Sequence, residues 1–167
     1  MAVIISDTGP LLALAGVGQL SLLQILFQQV LIPTAVWQEC QAQSDGAALA
    51  LAQAQQQGWL VVKTVAAPQD FPVCLGNGEQ EAMQLAAEYP TPLLIMDDRL
   101  ARREALQRRL TFVGTVKILW VAQQRGVITD AVSVLDTMAA NGYYLSRQLL
   151  EQYGLRPSEW EHWSASQ

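Results

Sequence analysis

Short, unbroken apolar runs alternate along this chain with longer stretches of helical period. Val3-Ile4-Ile5, Val30-Leu31-Ile32 and Pro92-Leu93-Leu94-Ile95-Met96 carry no polar interruption, the pattern of strands buried on both faces of a parallel sheet. A further strand is predicted over 59–65 and a short one over 111–113. Between them the leucine- and alanine-rich stretch 11–26 predicts helix, broken near Gly16 and Gly18, with Ser21 capping a second short helix over 22–27. Thr34 is placed to cap a helix over 35–43, and 47–57 ends at Gly58, a helix-stop glycine. The stretch 66–75 holds two prolines and predicts a loop. Helices are then predicted over 79–88, 100–109 and 115–125, and two more lie beyond Thr129, split by Asn141-Gly142.

Strands alternating with helices of about ten residues imply βαβ units and a mainly parallel sheet, an α/β fold. Right-handed crossovers put the carboxyl ends of such strands along one edge, where α/β proteins bind their ligands. Four acidic positions can converge at that edge: Glu39 and Glu79 on helices, and two at strand ends. Asp7 follows the first strand, and Asp97-Asp98 follows the fourth. Turn chemistry is the competing account of Asp7, because Asp is favoured before Gly9-Pro10, which is expected to bend the chain ahead of the first helix.

Composition narrows the class. At 167 residues, with 51% apolar and 15% charged residues, the chain is one ordered domain rather than a disordered segment. No apolar run reaches the roughly 18 residues a membrane span needs. The start, Met1-Ala2-Val3, has no basic region or cleavage site, and Cys40 and Cys74 form no metal-type pair, so a cytoplasmic protein with reduced thiols is expected. The net charge of −5 argues against non-specific binding of polyanions. Charge is unevenly placed, however: Arg99, Arg102, Arg103, Arg108 and Arg109 cluster directly after the acidic pair.

Helical phase ranks two further acids. With Ala82, Met83, Leu85 and Ala86 defining the apolar face of 79–88, Glu79 lies within about 50° of its centre and Glu81 about 110° away. An inward glutamate needs a partner, a proton or a cation, so Glu79 is the site candidate and Glu81 is expected to be solvated. A helix N-terminal acid favoured by the dipole accounts for Glu79 equally well. Glu39 is a lone glutamate on a helix and carries less information. The adjacent carboxylates Asp97 and Asp98 need either a cation or a basic neighbour such as Arg99 or Arg102.

Clustered Asp and Glu oxygens are hard ligands that suit Mg²⁺ or Mn²⁺ rather than zinc. An ion so held can assist in-line attack on a phosphodiester. A Ser-His-Asp set is excluded, since His162 is the only histidine. No phosphate-binding glycine loop or dinucleotide fingerprint is present, Gly76-Asn77-Gly78 being too short and generic.

Four segments together resemble a PIN-domain protein of the kind found in VapC-like toxin–antitoxin ribonucleases. They are Ser6-Asp7-Thr8-Gly9-Pro10-Leu11, Ile32-Pro33-Thr34-Ala35-Val36-Trp37-Gln38-Glu39, Gly78-Glu79-Gln80-Glu81-Ala82 and Leu94-Ile95-Met96-Asp97-Asp98-Arg99. The likeness covers essentially residues 3–128. It implies a three-layer α/β/α domain over 1–128, with 129–167 as a helical extension packed on it. It carries an acidic quartet onto Asp7, Glu39, Glu79 and Asp97, with Asp98 as an uncertain neighbour. Asp7, Glu79, Asp97 and Asp98 would then bind Mg²⁺ or Mn²⁺. Thr8, like Ser6, would orient a carboxylate or a water, and RNA would be gripped by Arg99, Arg102 and Arg103. The resemblance further implies a ribonuclease toxin, a homodimer and a small antitoxin partner; the short apolar runs predict no membrane. Docking surfaces for these partners are sought in 11–26 and 149–163, both of which serve equally well as core. Two departures stand out. The third acid is Glu rather than Asp, and the chain is acidic overall. Trp160, His162 and Trp163 are expected to contact the body of the domain. A non-catalytic PIN-like module that binds RNA or protein is the rival reading. A phosphoacceptor receiver fits poorly, because its acidic pair belongs on the first strand.

Overall fold

The computed structural model describes residues 2–43 and 46–155. Five strands form one sheet: β1 (Val3–Ser6), β2 (Val30–Pro33), β3 (Leu60–Lys63), β4 (Pro92–Ile95) and β5 (Thr111–Val113). Their order is β3-β2-β1-β4-β5, and every pairing is parallel. Ile5 stands between Leu31 and Leu94, so buried residues of three strands share one register.

Alternation sorts the strand residues onto two faces. Ile4, Val30, Ile32 and Ile95 point into one core, and Ile5, Leu31, Leu94 and Met96 into the other. The first core is covered by α1 (Thr8–Gly16), α2 (Ser21–Phe27), α3 (Thr34–Gln41), α4 (Gly46–Gln56) and α7 (Thr115–Gln124). The second is covered by α5 (Asn77–Ala86) and α6 (Arg99–Gln107). This is the three-layer α/β/α arrangement, and the all-parallel sheet explains why its strands read as continuous apolar runs. Each fully buried Leu or Ile contributes about 2 kcal/mol by leaving water.

α8 (Ala131–Ala140) and α9 (Arg147–Gln152) follow. α8 is capped by Asp130, whose carboxylate accepts from the Val132 N–H at 3.0 Å. It packs on α7 and α1, and Leu135, Met138, Leu145 and Leu150 join the first core. The expected contacts of Trp160, His162 and Trp163 lie outside the described residues.

Three local differences from expectation have simple causes. Helix α1 starts at Thr8, not after Gly9-Pro10. Proline suits the first turn of a helix, where no intrahelical partner awaits its missing N–H. Thr34 lies inside α3, whose cap is the extended Pro33. The α3 N-terminus is satisfied instead by Glu81, which accepts from the Ala35 N–H at 3.0 Å. Glu81 is therefore not solvated as helical phase predicted. It is half-buried against another helix, where an orphan donor outweighs hydration. The stretch 11–26 is mostly core, with Leu11, Leu14, Leu20, Leu22 and Leu23 all buried; of its large apolar residues Ile25 is the exposed one. Among the described residues no single helix is long and apolar enough to cross a membrane. α1 and α2 reach the length only together, and they are bent by 117°.

Candidate active site

The strand order creates the site. The chain steps outward from β1 to β2 and β3, then returns to the other side of β1 to form β4 and β5. Neighbours β1 and β4 thus send their following helices to opposite faces, α1 onto the first core and α6 onto the second. A crevice opens where the helices diverge, the switch point at which α/β sheets bind ligands. The cleft has a volume of about 1070 Å³, and Asp7, Glu39, Glu79, Asp97 and Asp98 all line it.

Asp7 ends β1 and occupies the cap position of α1, yet its side chain caps no N–H. Only 5% of it is exposed. Burial pushes its carboxyl up to about 7; the Thr8 amide opposes this, and Glu79, Glu39 and Asp97 add to it. The Asp7 N–H donates to the Ile95 carbonyl at 2.9 Å, which ties the ends of β1 and β4 together. The neighbouring Ser6 hydroxyl turns back on the Asp7 carbonyl, 3.0 Å away.

Glu39 lies in the last turn of α3. Its Oε1 accepts from the Gly78 N–H at 3.0 Å and its Oε2 accepts from the Thr8 hydroxyl. Glu79 lies in the first turn of α5 and accepts from the Gly76 N–H at 3.0 Å, the returning half of a capping box that glycine cannot complete with a side chain. Burial raises its carboxyl too, offset by the Gly76 amide and reinforced by Asp98 and Glu39. Neighbouring carboxylates thus act on Asp7 and Glu79 across the cleft.

Asp97 follows β4 and caps α7. Oδ1 accepts from the Thr115 N–H at 2.8 Å, and Oδ2 from the Thr115 hydroxyl at 2.6 Å and the Tyr143 hydroxyl at 2.5 Å. Gly114 has no room for a side chain: a Cβ there would stand 2.8 Å from Asp97 Oδ1 and 2.3 Å from Arg102 Nη2. Asp98 is exposed and caps α6 through the Ala101 N–H at 2.9 Å. Of the predicted basic residues, Arg99 and Arg102 line the cleft, whereas Arg103 is exposed beyond its lining. Arg102 donates to the Met96 carbonyl at 3.0 Å and lies over the Phe112 ring. Arg108 is engaged elsewhere, with Glu104, the Asp70 carbonyl and the Phe71 ring.

Sequence reasoning missed Thr115 and Tyr143. Gly114-Thr115 before a helix is a readable cap signal. Tyr143 had none, being 46 residues from Asp97 and reached only through the fold. Burial, followed by the Asp97 charge, pushes the Tyr143 hydroxyl well above its ordinary value, so it stays protonated and acts as a donor.

Among the described residues none of the five acids pairs with Lys or Arg, and no three Asp, Glu, His or Cys side chains form one ion-holding group. The donors nevertheless fit a hard divalent cation, being all carboxylate oxygens, and a cation would offset the burial, and with it the lesser repulsion, that raises Asp7 and Glu79. No curated protein matches the chain. The model of the family DUF3368, described as a PIN domain, matches residues 3–156 and so spans every residue named at the cleft. PIN domains are generally nucleases and typically use divalent metals. The chain belongs to the PIN-domain family.

Proposed function

We propose that this protein is a metal-dependent endoribonuclease, the toxin of a type II toxin–antitoxin pair of VapC-like kind, acting in the cytoplasm as a homodimer restrained by a small antitoxin. The reading is carried by one observation: Asp7, Glu39, Glu79 and Asp97 come from four separate segments and line a single cleft at the β1/β4 switch point. Residues 1–128 form the nuclease body in this reading, and 129–167 the helical extension.

Asp7, Glu79 and Asp97, with Asp98 at the rim, would hold Mg²⁺ or Mn²⁺. When bound, the ion supplies positive charge against the phosphodiester oxygens as negative charge builds on them. The protein's own groups do the rest. The Thr8 hydroxyl and the Gly78 N–H each occupy one oxygen of Glu39, which fixes the carboxylate and leaves lone pairs to accept the proton of an attacking water. Water oxygen then bonds to phosphorus, the bond to the leaving sugar oxygen breaks, and that oxygen takes a proton from solvent. Arg99 and Arg102 in the lining, with Arg103 beside them on α6, meet the phosphates of an RNA strand. Their positive charge is local, which fits a protein of net charge −5 that grips RNA only at its cleft.

The second reading is a non-catalytic PIN-like module that holds RNA or protein. It draws on the low basic content and on the lack of a gathered three-carboxylate group among the described residues. One experiment separates the two: purified protein is incubated with mixed RNA and Mn²⁺, with and without EDTA, beside Asp7→Asn. Cleavage that needs Mn²⁺ and is lost in Asp7→Asn supports the nuclease. Intact RNA with a folded, partner-free protein supports the binding module.

A further inference from the structure

Asp97 is the most heavily bonded acid at the cleft. A carboxylate offers about four acceptor positions, and three are taken, one by the Thr115 N–H, one by its hydroxyl and one by the Tyr143 hydroxyl. A single position remains, on Oδ1.

Tyr143 is placed by a chain of local constraints. Asn141-Gly142-Tyr143 ends α8 in a Schellman turn: the Gly142 N–H donates to the Ala139 carbonyl and the Tyr143 N–H to the Met138 carbonyl, both at 2.9 Å. Gly142 takes the left-handed conformation this turn requires, with φ of 87°. The Asn141 amide then pins the turn to the Gly16 carbonyl at the end of α1, at 3.2 Å. The Tyr143 ring packs on the first core. Its hydroxyl reaches over Gly9, where a Cβ would stand only 3.3 Å away, to Asp97. The side chain thus bridges the segments after β1 and β4, and the six residues after it line the cleft.

We infer that Tyr143 is a positioning residue, which orients Asp97 so that its one open lone pair, on Oδ1, faces the cation the acids would share. The inference rests on the nuclease reading above. It makes the segment after α8 part of the site, supplied in cis rather than by a partner. Losing the hydroxyl removes one of the two donors on Oδ2 and leaves Thr115 alone to hold the carboxylate, with the ring, and the fold, in place.

The test is Tyr143→Phe, read first by calorimetric titration of the RNA-free protein with Mn²⁺. The Kd for Mn²⁺ is expected to rise about tenfold, the scale of losing a partner that orients a metal ligand. On RNA, kcat should fall by a similar factor while KM holds, and the melting temperature should change by only a few degrees. Gly9→Ala, which presses on the hydroxyl without removing it, should shift the Mn²⁺ Kd in the same direction by less. Unchanged or tighter Mn²⁺ binding by Tyr143→Phe overturns the positioning role and leaves the nuclease reading intact. A wild-type protein that binds no Mn²⁺ overturns both.

Discussion

The Glu39 carboxylate lies flush against Gly78: the Gly78 N–H donates to Oε1 at 3.0 Å, and a Cβ on Gly78 would stand 2.7 Å from Oε2. Helices α3 and α5 in fact exchange caps, Glu39 serving the first turn of α5 and Glu81 that of α3. Gly78→Ala should therefore fold, since alanine is welcome in a helix, but with Glu39 displaced. A loss of about 1–3 kcal/mol from overpacking is expected, with cleavage down about 100-fold. Chemical denaturation and an RNA cleavage assay measure the two. Wild-type activity in Gly78→Ala would show that the placement of Glu39 does not matter.

The two glutamates of α5 divide their labour. Glu81→Ala removes the partner of the Ala35 N–H and should cost about 1 kcal/mol, with kcat and Mn²⁺ affinity unchanged. Glu79→Gln keeps the Gly76 contact, so stability should hold while Mn²⁺ affinity falls at least tenfold. Melting curves beside titrations separate a cap from a ligand. Equal effects of both variants on metal binding would contradict the assignment.

The buried carboxyl of Asp7 makes stability depend on pH in a definite direction. Its folded value, about 7, lies above the ordinary 3.8. Between these the folded protein binds more protons than the unfolded chain, so the stabilising contribution is complete below about pH 4 and is lost as pH rises to about 7. The loss is at most about 4 kcal/mol at 1.36 kcal/mol per pKa unit. Asp7→Asn should match the wild type near pH 4 and be more stable than it at pH 8 without metal. Added Mn²⁺ should stabilise the wild type more at pH 8 than at pH 5, and EDTA should reverse this. Parallel pH profiles for the two proteins would rule out the burial argument.

Arg99 tests the RNA contact. Neutralising one phosphate on a single strand contributes about 0.7 to the slope of log affinity against log salt. Arg99→Ala should lower that slope by about this amount and weaken RNA binding severalfold at low salt. Arg108→Ala, whose guanidinium is engaged by Glu104, Asp70 and Phe71 instead, should leave the slope alone. Filter binding across a salt series gives both values.

The fold class was readable because a doubly buried strand has no polar side to show. Val3-Ile4-Ile5 and Leu93-Leu94-Ile95 declare themselves without any partner in view. Helix starts were less readable. Pro10 and Thr34 are each compatible with the turn before a helix and with its first turn, and local chemistry does not choose between them. Helical phase placed Glu79 toward the interior but misjudged Glu81, because phase knows the helix's own apolar face and nothing of the Ala35 N–H that waits on α3.

By itself, the sequence determined the βαβ alternation, the carboxylates at the ends of β1 and β4, and the family to which four short segments point. These are local matters, decided by hydrophobic pattern and turn chemistry within a few residues. Only the tertiary structure decided that β1 and β4 are neighbours, that Glu39 bonds to Gly78 rather than to solvent, and that Tyr143 reaches Asp97. Each of these joins groups at least 39 residues apart, and their meeting depends on strand order and crossover handedness, which no short window of sequence contains.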